Sequence, residues 1–144
     1  MTINQISIFL ENKYGTLNEV FALIGREHIR IIAATVADTS EFGILRMIVS
    51  DAKKAHQVLK SNHVSAHLSE VLALTTQSSA GSVADTLAHF TKAGLSIEYM
   101  YCFSVQNKSF LILRVNDREK ALEVIVGNRL EYITENDFQL LTRG

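Results

Sequence analysis

Apolar and polar positions alternate with period two, then recur at helical spacing, and the whole pattern is written twice. Ile6-Ser-Ile-Phe-Leu10 and Val71-Leu-Ala-Leu-Thr75 read as strands. A glycine follows each, Gly15 and Gly81, and then a run at helical spacing. Leu17, Val20, Phe21 and Ile24 make the first run; Val83, Leu87 and Phe90 make the second. Thr16-Leu-Asn-Glu19 predicts a capping box over the first helix, and Ser82-Val-Ala-Asp85 repeats it with a shorter acid. Gly94 marks a helix stop. Two apolar segments without helical period come next, 29–36 with 44–49 and 95–105 with 110–115. The short polar link Gln106-Asn-Lys-Ser109 predicts a hairpin.

Shifted by 66 residues, the chain aligns with itself without a gap: Gly15 falls on Gly81, Asp51 on Asp117, Ala55 on Ala121 and Asn62 on Asn128. Such a repeat outranks every local reading. Asp51 and Asp117 stand where helix N-caps belong. Asn62 and Asn128 stand where a left-handed residue ends a helix. Last strands are predicted at 65–68 and 131–134, the first running into the next strand around Leu68 to Leu72. The order is β-α-β-β-α-β, twice. It predicts an α+β fold of two tandem ferredoxin-like βαββαβ units with antiparallel sheets, spanning 1–69 and 70–144.

A sheet with one wet face alternates cleanly. Ile44-Leu-Arg-Met-Ile-Val49 and Phe110-Leu-Ile-Leu-Arg-Val115 do not. Ile97, Tyr99, Tyr101 and Phe103 are expected on one face of their strand, Met100 and Cys102 on the other. The face away from the helices therefore needs a cover: the other repeat, a second copy of the chain or a partner protein, and contact between the repeats together with a homodimer is the expectation. Tyr99 and Tyr101 carry hydroxyls that need partners when buried, which suits a pocket lining as well as an ordinary core.

Bulk properties then narrow the function classes. The 144 residues are 47% hydrophobic and 20% charged, with a formal net charge of −1. That composition describes a folded globular chain without the basic excess of a nucleic-acid or membrane-surface binder. Apolar runs are too short for a transmembrane helix. The N-terminus lacks the basic and apolar regions of a leader, and Cys102 is alone, so the expected compartment is the cytoplasm. His63 and His67 straddle a predicted helix-to-strand junction and share no face, so no metal site is expected. Cys102 lies among apolar residues and is expected to be a buried, inert thiol. No nucleotide-binding glycine motif is present. No arginine stands in either strand-to-helix loop to grip a phosphate. No acid, base and nucleophile converge, so neither an enzyme nor a bound cofactor is expected.

The element order, the glycine after the first strand and the tandem repeat together resemble the ACT domain family, over practically the whole chain. The family pattern is roughly acid-x-x-Pro-Gly-x-Leu. Glu11-Asn-Lys-Tyr-Gly15-Thr-Leu17 keeps the acid, the glycine and the leucine, with Tyr14 at the proline. Gln77-Ser-Ser-Ala-Gly81-Ser-Val83 keeps the glycine and an apolar residue, with Ala80 at the proline. The resemblance implies a non-catalytic, regulatory, allosteric module that binds an amino acid or related small carboxylate at interfaces between its units, near these loops.

A glycine at a strand-to-helix turn frees N–H groups that suit a carboxylate, or it simply makes the turn. Under the resemblance the first loop is Asn12, Lys13, Tyr14, Gly15, Thr16 and Leu17, with Asn12 on the ammonium and Thr16 on the carboxylate. The second is Ser78, Ser79, Ala80, Gly81, Ser82 and Val83, where the serines offer the same groups. Ile31, Tyr99 and Tyr101 are the expected contacts for the ligand's side chain. The competing expectation is a regulatory subunit that docks on a metabolic enzyme and needs no ligand of its own.

Overall fold

The computed structural model describes residues 2–11, 15–38, 42–77 and 79–141. In chain order the elements are β1 (Thr2–Glu11), α1 (Thr16–Arg26), β2 (Ile31–Asp38), β3 (Phe42–Val49), α2 (Ala52–Ser61) and β4 (Ala66–Gln77). There follow α3 (Ser82–Lys92), β5 (Ile97–Val105), β6 (Lys108–Val115), α4 (Arg118–Gly127) and α5 (Glu135–Leu141). The chain divides into two compact units, one built on Asn4–Glu70 and the other on Val71–Phe138. Thr2 and Ile3 belong to the second unit, and residues 139–141 to the first. Each is a ferredoxin-like unit in β-α-β-β-α-β order with antiparallel pairing, the final strand of the second reduced to a bridge. The first has strand order β2-β3-β1-β4 and the second β4-β6-β5. The strands expected at 65–68 and 71–75 form one 12-residue strand, β4.

Alternation puts one face of each sheet under its helices. In the first unit Ile6, Ile8, Leu10, Leu45 and Met47 pack with Val20 and Ile24 of α1 and Ala55 and Leu59 of α2. In the second Leu72, Leu74, Leu111 and Leu113 pack with Phe90 of α3 and Ala121 and Ile125 of α4. Each large side chain so buried contributes roughly 1.5–3 kcal/mol.

The repeat is more exact in the backbone than in the sequence. Positive φ recurs at the 66-residue spacing: 80° at Gly15 and 86° at Gly81, 58° at His28 and 75° at Gly94, 61° at His63 and 53° at Arg129. Both β2 and β5 are bulged, between Ile31 and Ala33 and between Ile97 and Tyr99. Asp51 and Asp117 cap their helices as expected, accepting at 3.1 Å from the N–H groups of Lys54 and Lys120. Asn62 and Asn128 are not left-handed, having φ of −102° each. Each instead donates its side-chain amide to the carbonyl one turn back, Val58 at 2.8 Å and Val124 at 2.9 Å. The next residue, His63 or Arg129, takes the left-handed step. In the hairpin Gln106 and Asn107 have φ of 50° and 66°, giving a two-residue turn of the kind that matches strand twist.

Four further expectations need correction. The capping boxes at 16–19 and 82–85 do not form, because Gly15 and Gly81 occupy the N-cap and neither helix has a side-chain cap bond. The bulge shifts the alternation of β5, so Ile97 joins Met100 against the helix-side core instead of siding with Tyr99 and Tyr101. Cys102 is exposed, two residues past Met100 on the outer strand of its order. The strand expected at 131–134 shrinks to one bridge between Leu74 and Tyr132. A helix absent from the sequence reading, α5, follows it. Thr134 caps that helix: the Asp137 N–H donates to the Thr134 hydroxyl at 3.2 Å and the Asp137 carboxylate accepts from the Thr134 N–H at 3.3 Å. Phe138 of α5 meets Phe103 and Phe110 edge-on at centroid distances of 6.4 and 6.5 Å, while those two stack at 5.3 Å. Part of the second unit's sheet face is therefore covered from within the unit.

Two stability effects follow. Phe138 is 1% exposed, and Phe138→Ala is expected to cost about 3–5 kcal/mol in urea unfolding. His28 holds the conformation that Gly94 holds in the second unit, and His28→Gly is expected to stabilise the chain by up to about 1 kcal/mol.

Candidate functional site

The end of β1 and the start of α1 are joined through Gly15, at φ 80° and ψ −5°. Only glycine takes this backbone without a Cβ penalty. The Glu19 N–H donates to the Gly15 carbonyl at 2.9 Å, the first helical bond. With no side chain at the N-cap, the N–H groups of Leu17 and Asn18 carry no hydrogen-bond partner among the described residues. These are the two positions a capping oxygen would satisfy. The second unit repeats the arrangement. Gly81 has φ 86° and ψ −15°, and the Asp85 N–H donates to its carbonyl at 2.9 Å. Val83 and Ala84 have the N–H groups left without a partner among the described residues. A Cβ at either glycine would meet nothing within 4 Å among the described residues. The helix dipole adds partial positive charge at each.

The other loop residues divide by role. Asn12, Lys13, Tyr14 and Ser78 lie outside the described residues. Leu17 and Val83 turn inward and pack on their units' cores, so their side chains are anchors. Thr16 and Ser82 are the first helical residues. Ser79 and Ala80 are exposed. The Ser79 hydroxyl bonds the Ser82 hydroxyl, and the Ser82 N–H donates to the Ser79 carbonyl at 3.3 Å. Tyr99 and Tyr101 are half-buried on β5, opposite Arg114 and Ile112 of β6. Ile112 in turn is opposite Ala73. Within the unit, Tyr101 thus stands four residues down the ladder from Gln77, roughly 13 Å from the Gly81 end.

A feature that the sequence reading missed lies beside the first turn. A cavity of about 640 Å³ runs along α1, between Thr16, Glu19, Leu23 and Arg26 on one wall and the turn at residues 62–65 on the other. Phe9, Leu10 and Glu11 of β1 form its floor. The chain reaches this floor where β1 passes the start of β4, the Phe9 N–H donating to the Ser65 carbonyl at 3.3 Å. The signal was present in α1, whose stripe at 16, 19, 23 and 26 borders the core face with polar groups at both ends. Among the described residues no group of three His, Cys, Asp or Glu is placed to hold a metal ion. No described helix is long and apolar enough to cross a membrane.

A family model for ACT domain pairs matches residues 1–142. The chain belongs to the ACT domain pair family. Among solved structures, this ACT pair is similar to a protein from Bacteroides thetaiotaomicron, with 35% identity, a TM-score of 0.89 and 96% of each chain covered. It is also similar in fold to the ligand-free regulatory subunit of aspartate kinase from Thermus thermophilus, at 16% identity and a TM-score of 0.60, covering 86% of this chain and 91% of that one. The corresponding subunit from Thermus flavus gives 17% identity and a TM-score of 0.55, covering 86% and 90%. No curated protein matches the ACT pair in sequence.

Gly15→Ala and Gly81→Ala are each expected to destabilise the protein by about 1 kcal/mol, from backbone strain alone since the space is open. Urea titration reads this; an unchanged midpoint in either variant would contradict a left-handed turn there.

Proposed function

We propose that this ACT pair is a non-catalytic regulatory module that binds a free amino acid or related small carboxylate at the Gly15 and Gly81 turns. The observation that carries the reading is the pair of uncapped helix N-termini, each with two N–H groups lacking a partner among the described residues. Such a terminus accepts a carboxylate through its N–H groups and its dipole. Asn12 would hold the ammonium of a ligand at the first turn, and Thr16 would add a bond to its carboxylate. At the second turn Ser78, Ser79 and Ser82 would supply these groups. Family membership supports a regulatory role, and two neighbours in fold are named as regulatory subunits. Binding regulates when two states of an assembly hold the ligand unequally.

A second reading rests on a different observation. Phe9 and Phe42 are 53% and 52% exposed, which gives a second copy of the chain or a metabolic enzyme an apolar surface to cover. On that reading the module is a docking subunit in the cytoplasm and needs no ligand.

A thermal-shift screen of the twenty amino acids and a few aromatic acids separates the two. A ligand at a hundred times its Kd adds about 2.7 kcal/mol, which for a chain of this size raises Tm by roughly 4 °C or more. The expected result is one selective response, weakened in Gly15→Asp and kept in Gly15→Ala. The alanine adds backbone strain but no capping oxygen, while the aspartate caps the N–H groups and repels a carboxylate. A flat screen, or equal responses in both variants, would remove the first turn from the mechanism.

A further inference from the structure

The cavity along α1 holds two charges, Glu19 and Arg26, that no other described residue engages. Glu19 and Arg26 stand two helical turns apart on the wall of the cavity, about 10 Å along the axis, too far to pair with each other. Neither side chain has an ion-pair or hydrogen-bond partner among the described residues. His63, on the facing wall, is held by its left-handed turn at φ 61°, and its ring has no partner among the described residues either. Between the charged ends Val20, Leu23 and Val64 give an apolar strip, and the floor adds Glu11, which is engaged by another group. The helix dipole alone favours an acid in the first turn and a base in the last. What the dipole does not supply is a cavity of about 640 Å³ between them.

We propose that this trough binds a short peptide of about three residues with free termini. Its ammonium sits on Glu19, its carboxylate on Arg26 and His63, and its central side chain on Val20, Leu23 and Val64. Length decides the class. A free amino acid carries both charges on one carbon and reaches only one end of the trough. Three extended residues span about 10 Å and reach both. The second unit is built differently in the middle. Asp85 and Lys92 keep the charged ends, but Thr86 and His89 stand where the first unit has Val20 and Leu23. Glu131 stands at the place of Ser65 and is engaged by the Thr75 hydroxyl at 3.0 Å and Lys108 at 3.7 Å. The apolar centre belongs to the first unit, so one peptide per chain is the expected stoichiometry.

Calorimetric titration of the full chain with tri-L-alanine tests this, beside its N-acetylated and C-amidated forms and free alanine. The expected result is one-to-one binding of the free tripeptide, weakened about tenfold by blocking either end. Glu19→Gln removes the penalty of N-acetylation and Arg26→Gln removes that of amidation, because each charge is then already unpaired. Both side chains are exposed, so both variants fold. Absence of binding at millimolar tripeptide, or equal binding of the blocked peptides, overturns the proposal. The amino-acid response is read in Arg26→Gln, about three helical turns from Gly15, and stays at the wild-type value, so either site can fail without the other.

Discussion

Both candidate turns depend on one backbone constraint, a left-handed residue placed between a strand end and a helix start. Gly15 and Gly81 meet it with φ of 80° and 86°. A residue with a side chain would pay strain at that step, and a capping Ser or Asp would fill its own helix terminus. Glycine does neither. The cost is two helices without side-chain caps. The gain is two pairs of N–H groups without a partner among the described residues.

The rest of the unit holds that turn in place. β1 is gripped by β3 through the register Ile6 to Met47 and Phe9 to Ile44. α1 is pressed on the sheet by Val20 and Ile24, both 2% exposed or less. Leu17, one residue into the helix, packs on the same core. At the far end of α1, Lys54 reaches from α2 to the Glu27 carbonyl at 3.4 Å and its carboxylate at 3.8 Å. Those exposed contacts contribute little to stability. The burial of α1 keeps the uncapped terminus from fraying.

Fold class was legible because it rests on periodicity. Strands, helices and their doubled order follow from where the apolar residues sit, and the aspartate caps follow from one residue type at one position. The misreadings cluster where a single inserted or left-handed residue changes the count. The bulge before Tyr99 moves Ile97 to the other face, and no residue type announces it. Thr16-Leu-Asn-Glu19 and Thr134-Glu-Asn-Asp137 look alike as text. Only the second forms a capping box, because the first follows a glycine that has already taken the cap. Phe138 was hidden for a related reason: a strand was expected up to Thr134, and seven helical residues are too few to show a period. The turns that form the candidate site were legible as glycines after strands. The trough was not, since its walls come from segments some 40 residues apart that no local pattern links.

The central claim is that carboxylates bind at the two uncapped helix starts. Amide chemical shifts of the isotope-labelled chain, followed while the responding amino acid is added, test it most directly. The largest changes are predicted at Leu17 and Asn18 and at Val83 and Ala84, with the sheet unmoved. Saturable binding that leaves these four amides unshifted would contradict the claim.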